Sequence, residues 1–227
     1  MSDDAAASAP QRTVRPRHAA TLLIVRRDGP KPRVLMGRRH ATHNFMPDKW
    51  VFPGGRIDPS DYRAPFATDL SPEVEAKLHV AAPGARGRAL AMAAIRETFE
   101  EAGLLLAKAA PPRTAVGPWR EFLAQGALAD LAALRFVGRA VTPPFVHKRF
   151  DARFFMADAE RLTSLERQPD CGELDQIDWL DIDDALGLDL ADVTRMMVSE
   201  VVARLDNPNL PIPFMRMIRR KRHISHI

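Results

Sequence analysis

One helix constrains the fold more than any other segment. From Arg88 to Ala102 the chain is Ala-rich, contains neither Gly nor Pro, and stops at Gly103, a residue suited to ending a helix. At 100° per residue, Met92, Ile95, Phe99 and Ala102 fall on one stripe, and Glu97, Glu100 and Glu101 fall on the opposite side. The helix is therefore expected to bury one flank and to present three carboxylates on the other. That placement is electrostatically poor, because the C-terminal end of a helix is already negative and Glu97/Glu101 is a like-charge i,i+4 pair. A divalent cation would turn the liability into a binding site. Hard carboxylate oxygens suit Mg²⁺ or Mn²⁺, and Mg²⁺ keeps waters that can supply an attacking hydroxide. An acidic helix face is usually no more than a solvated face, so the surrounding sequence has to decide.

Upstream, the run from His18 to Arg27 and the run from Arg33 to Arg39 read as two adjacent strands separated by the turn signal Asp28-Gly29-Pro30. Trp50-Val51-Phe52 is a third apolar run, stopped by Pro53-Gly54-Gly55, which can neither extend a ladder nor continue a helix. Residues 58 to 87 look loop-like, with one or two helical turns near Pro72 to Val80. Downstream, the pattern predicts a helix from Trp119 through Leu134, strands at Phe136–Thr142, Arg153–Met156 and Glu173–Leu180, and a closing helix from Ala191 to Leu205. That order indicates an α+β sandwich in one elaborated domain, which 227 residues with 46% hydrophobic content can support.

Composition excludes several classes. No run approaches the roughly eighteen apolar residues of a membrane span, and Asp3 and Asp4 argue against a secretory or transit leader. The lone Cys171 forms no internal disulfide and belongs to no zinc-type spacing, which fits a cytoplasmic protein. The net charge of +4 is concentrated in Arg216, Arg219, Arg220, Lys221 and Arg222. The rest of the chain is near neutral, so nucleic acid is disfavoured as a partner and residues 211–227 read as a basic C-terminal tail. Residues 1–17 read as a flexible N-terminal tail.

The segment Arg96-Glu97-Thr98-Phe99-Glu100-Glu101-Ala102-Gly103-Leu104 resembles the second half of the Nudix signature, R-E-U-x-E-E-x-G-U with U a bulky aliphatic residue. Phe52-Pro53-Gly54-Gly55 resembles its entry. Thr98 departs from the aliphatic position, and Asp61 stands where the family's first glutamate would be. Residues 62 to 95, thirty-four in number, replace a much shorter family spacing. A motif split at this point resembles the subgroup related to animal peroxisomal coenzyme A diphosphatases. Val34-Leu35-Met36-Gly37-Arg38-Arg39, Thr142-Pro143-Pro144 and Lys148-Arg149-Phe150-Asp151 share that likeness, although Ser225-His226-Ile227 does not read as a peroxisomal address.

The resemblance implies a Nudix-like α/β/α sandwich with a mixed central sheet over residues 18–210, with an insertion at about 62–87. It implies a Mg²⁺- or Mn²⁺-dependent pyrophosphohydrolase that cuts the diphosphate linkage of a nucleoside diphosphate-X compound. Coenzyme A or acyl-coenzyme A leads the candidates; dinucleotides, nucleotide sugars, oxidised nucleotides, or a non-catalytic binding role stay open. Glu97, Glu100 and Glu101 would hold metal, Arg96 would orient them, and Glu97 would be the base, with Glu173 as alternative. Arg38, Arg39, Gly55 and Arg149 would meet a small nucleotide-type substrate; Lys148 and Arg153 are equally well read as surface charges. No membrane partner is expected, and a homodimer is left open.

Overall fold

The computed structural model describes residues 14–42, 46–166 and 174–227. Cys171, Glu173 and most of the expected N-terminal tail lie outside those residues. The elements, in chain order, are β1 (Arg17–Arg26), β2 (Arg33–Arg39), β3 (Trp50–Val51), β4 (Gly54–Arg56), β5 (Phe66–Thr68), α1 (Pro72–Ala81), α2 (Ala85–Ala102), β6 (Ala107–Ala109), α3 (Arg120–Ala124), β7 (Ala127–Asp130), β8 (Arg135–Val141), β9 (Phe150–Asp158), β10 (Leu174–Asp181), α4 (Ile182–Gly187), α5 (Asp192–Asp206), β11 (Pro213–Ile218) and β12 (Lys221–His226).

Among the described residues, the main sheet runs β10-β2-β1-β9-β8-β11-β12. It is mixed: β1 with β9 and β8 with β11 are parallel, and the other pairs are antiparallel. Period-two alternation along β1 decides the layering. Ala20, Leu22 and Ile24 point to the side that holds α1 and α2, while Leu23 and Val25 point to the side that holds α4 and α5. The molecule is thus an α/β/α sandwich with a core on each face of the sheet.

The site is prepared by a fork in this sheet. β1 pairs with β2 only near their shared hairpin, at Val25↔Val34 and Arg26↔Arg33. The first half of β1 pairs instead with β4, from Ala19↔Arg56 to Thr21↔Gly54, while β3 pairs with β2. Pro53, which has no N–H, sits at the bend, and its carbonyl accepts from the Leu22 N–H at 3.0 Å. Gly54 is required there: a Cβ would lie 2.5 Å from the Ala20 carbonyl oxygen.

Three expectations need correction. The segment read as a loop with one or two helical turns near Pro72 to Val80 holds β5 and a three-turn helix, α1, which Ser71 caps and Pro72 begins. The predicted helix from Trp119 to Leu134 stops at Ala124, because Gly126 turns left-handed (φ 69°) and Ala127–Asp130 pairs with both β5 and β6 in a three-stranded side sheet. The basic C-terminal tail is a β-hairpin, with β11 joined to β8. Its two-residue turn, Arg219-Arg220, has positive φ at both positions (46° and 63°), the geometry of a primed hairpin turn without the usual Asn-Gly.

Candidate active site

α2 ends as expected, with Gly103 left-handed (φ 69°) and its N–H on the Phe99 carbonyl. The apolar stripe is buried, and Glu97 and Glu101 turn toward the fork rather than into bulk solvent. Glu101 is buried and accepts from the Gly54 N–H at 2.9 Å. The Glu97 carboxylate lies against Gly55, where a Cβ would sit 2.3 Å from it, closer than a real side chain allows. Glu100 is more open. Thr98 fits the aliphatic position because its hydroxyl donates to the Ala94 carbonyl at 2.8 Å within the helix.

Arg96 is buried at the centre of the group. Its Nη1 donates to Glu97 Oε1 at 2.8 Å and to Glu100 Oε2 at 2.9 Å, and its Nη2 donates to the Arg56 carbonyl at 2.9 Å. Nε and Nη2 grip Asp61 at 2.9 and 3.0 Å in a bidentate pair. Asp61 also accepts from the Trp119 indole N–H at 2.9 Å and the Asp58 N–H at 2.8 Å, so four donors saturate a buried carboxylate. The shorter acid serves because a 3-10 turn, Pro59–Tyr62, brings its backbone close enough. Burial disfavours charge on Arg96, but the Asp61 hydrogen bonds and the surrounding carboxylates outweigh it and hold the guanidinium pKa well above its ordinary value. Burial raises the Glu100 carboxyl pKa; Arg96 pulls the other way, and the Glu97 charge adds to the rise.

Whether these residues suit a metal is a question of donor chemistry. Among the described residues no three acidic, histidine or cysteine side chains converge on one point, because Glu97 and Glu100 both lean on Arg96 and Glu101 leans on Gly54. The donor set is nonetheless all carboxylate, anchored from behind by Arg96 and open to the glycine turn, which suits a hard divalent ion.

Glu97, Glu101, Gly54 and Gly55 line a cavity of about 770 Å³, large enough for a nucleotide-sized ligand. Arg39, Arg149 and Lys148 also line it. Arg149 is fixed by donating to the Thr142 and Val14 carbonyls at 3.1 and 2.7 Å. Arg38 does not line the cavity: strand alternation turns it away from Arg39's side, and it pairs with Asp48 at 3.1 Å on the surface. Arg153 is buried, bound to the Asp151 carbonyl at 2.8 Å and to the carbonyl of Ala81 at the end of α1, so it joins the insertion to the sheet instead of meeting substrate. Sequence reasoning missed Arg17, Arg56, Arg216 and Arg222, which also line the cavity. The last two belong to the unforeseen hairpin.

The family model described as NUDIX domain matches residues 16–199. A NUDIX hydrolase from Alicyclobacillus acidocaldarius is 31% identical, with 83% of this chain and 92% of that chain covered and a TM-score of 0.65. The NUDIX domain of Shewanella oneidensis NrtR, solved with ADP ribose, is 14% identical over 87% of this chain and 93% of that one, at a TM-score of 0.51; the likeness is one of fold. The acyl-coenzyme A diphosphatase NUDT19 of Gallus gallus is 33% identical over 45% of this chain, a match that spans only 35% of that protein.

Proposed function

The chain belongs to the Nudix family of hydrolases, and from that premise we propose that it hydrolyses the diphosphate linkage of coenzyme A or acyl-coenzyme A in a divalent-metal-dependent reaction. The observation that carries the reaction class is the meeting of Glu97 and Glu101 with Gly54-Gly55 at the wall of a nucleotide-sized cavity. The 33% identity with the avian acyl-coenzyme A diphosphatase supports the choice of substrate, as does the resemblance of the split motif to the subgroup of coenzyme A diphosphatases. A divalent ion held by Glu97, Glu100 and Glu101 would neutralise the diphosphate and acidify water.

The chain's own residues then have separable tasks. Arg39 and Arg149 receive phosphoryl oxygens. Glu97, oriented by Arg96, accepts the proton of the attacking water as its oxygen bonds to phosphorus and the bridging P–O bond breaks, releasing a phosphomonoester. Arg96 itself is a positioning residue, buried and fully engaged. The test is product analysis with Mg²⁺ and Mn²⁺ on a panel of diphosphate compounds. Release of 3′,5′-ADP and a phosphopantetheine from coenzyme A is expected, and Glu101→Gln should lower turnover by about 100-fold or more, the scale on which one misplaced or lost group acts in an active site. Efficient cleavage of dinucleotides or nucleotide sugars, with coenzyme A untouched, would replace the substrate assignment.

A further inference from the structure

The hairpin β11–β12 lies beyond the family match, which ends at residue 199, yet it walls the same cavity. Parallel pairing of Phe214 with Arg139 and Met215 with Ala140 puts Arg216 and Met217 beside the exit of β8, where the chain enters the loop bearing Lys148 and Arg149. A strand spacing of about 5 Å separates Arg216 from the end of β8, and Lys148 lines the same cavity. Arg216 stacks on the Phe214 ring, 4.9 Å from its centroid, and has no carboxylate partner among the described residues. The first turn of α5 lines the cavity too, without a side-chain cap, and Arg222 is tied to Asp192 there by an ion pair.

Charge says what this end of the cavity is for. Of the cations that line the cavity, Lys148, Arg149, Arg216 and Arg222 belong to the hairpin and the neighbouring loop, and the acid that lines this end with them, Asp192, is already paired with Arg222. With Arg149 assigned to the diphosphate, Lys148 and Arg216 remain, and a phosphomonoester, at about −1.5 to −2 near neutral pH, would neutralise the pair.

We propose that Arg216 of the hairpin, with Lys148 of the neighbouring loop, forms a subsite for a phosphomonoester carried by the substrate apart from its scissile diphosphate. The subsite deepens the reading of the substrate given above and rests on it. It makes the hairpin a specificity element: compounds that bear the extra phosphate are selected over those that lack it.

The test uses the full chain and pairs of compounds that differ only in that phosphate. By calorimetry, 3′,5′-ADP should bind about tenfold or more tighter than 5′-AMP, a difference of roughly 1.4 kcal/mol. Arg216→Ala combined with Lys148→Ala should bring the ratio close to one, and Arg216→Lys should keep part of it. In turnover, the ratio of kcat/KM for coenzyme A over 3′-dephospho-coenzyme A should fall in step. Equal binding of the two nucleotides by the unaltered protein, or a ratio that the double variant leaves intact, overturns the subsite even when diphosphates are hydrolysed. Loss of the hydrolase reading has a different signature: no diphosphate is cut, while the binding preference and its loss in the variant persist.

Discussion

Replacing Gly55 by Ala tests whether the position of Glu97 controls the reaction. The added Cβ would lie 2.3 Å from Glu97 Cδ and Oε1 and 2.5 Å from Oε2, so the carboxylate has to retreat by about 1 Å to reach ordinary contact, a displacement that can cost about 100-fold in rate. Stability should change little. Overpacking costs about 1–3 kcal/mol in a closed core, but Glu97 is partly exposed and can move, and loss of Gly from the unfolded chain returns about 0.4–1 kcal/mol. The variant should therefore keep its Tm within a few degrees while kcat falls by about two orders of magnitude. Gly37→Ala is the matched control: its Cβ would strike Leu174 Cδ1 at 2.4 Å, in the apolar packing between β2 and β10, so it should lower Tm with a far smaller effect on kcat. Steady-state kinetics and thermal melts on both variants decide the matter. A Gly55→Ala enzyme with kcat within threefold of the parent would refute the placement of Glu97 at the reacting centre.

Trp119→Phe keeps an aromatic ring against Phe122, whose centroid lies 5.0 Å away, but deletes the indole donor to Asp61. A hydrogen bond to a charged group is worth about 1.5–3 kcal/mol; kcat should drop several-fold or more as Arg96 loses its fixed partner, with KM nearly unchanged, and an unaltered kcat would make Trp119 a packing residue only. Arg153→Met leaves Asp151 short of a buried partner and the Ala81 carbonyl uncapped, so chemical denaturation should show a loss of about 3–5 kcal/mol. Burial raises the Asp151 carboxyl pKa, yet the Arg139 hydrogen bond and the Arg153 charge outweigh it and hold the group below the ordinary carboxylate range. The stability this carboxylate contributes is present above its unfolded pKa and is lost as pH falls through the lower folded value. Asp151→Asn should flatten that acid limb in pH-dependent melts. Arg38→Ala should leave KM for the diphosphate substrate where it was, since Arg38 faces solvent with Asp48.

What the sequence revealed depended on whether a residue's role was set locally. The α2 stripe, its Gly103 stop and the Pro53-Gly54-Gly55 break follow from periodicity and backbone chemistry within a few residues, and the structure brings those segments together through the Glu101–Gly54 and Glu97–Gly55 contacts. The role of Asp61 was only half legible. Its place in the motif was visible, but three of its four donors come from residues 96 and 119, and no local pattern predicts that a Trp on an irregular segment supplies one of them. Arg38 and Arg39 looked alike, and only strand pairing separates the one that lines the cavity from the one that does not.

The C-terminal hairpin was hidden for a different reason. Its turn is Arg219-Arg220, two residues with positive φ where Gly or Asn is the usual signal, and a cluster of five cations in seven residues resembles a solvated tail. Met215 and Ile212 are buried, and Met215 packs with the α5 side of the sheet, so apolar burial fixes the segment. The cations are left to the cavity rim and the outer strand. A basic tail and a basic wall of a binding site are the same string of letters, and the difference lies in two apolar anchors upstream of the charge. Any reading of this chain's substrate made from its Nudix motif alone therefore omits the wall that meets the part of the molecule beyond the diphosphate.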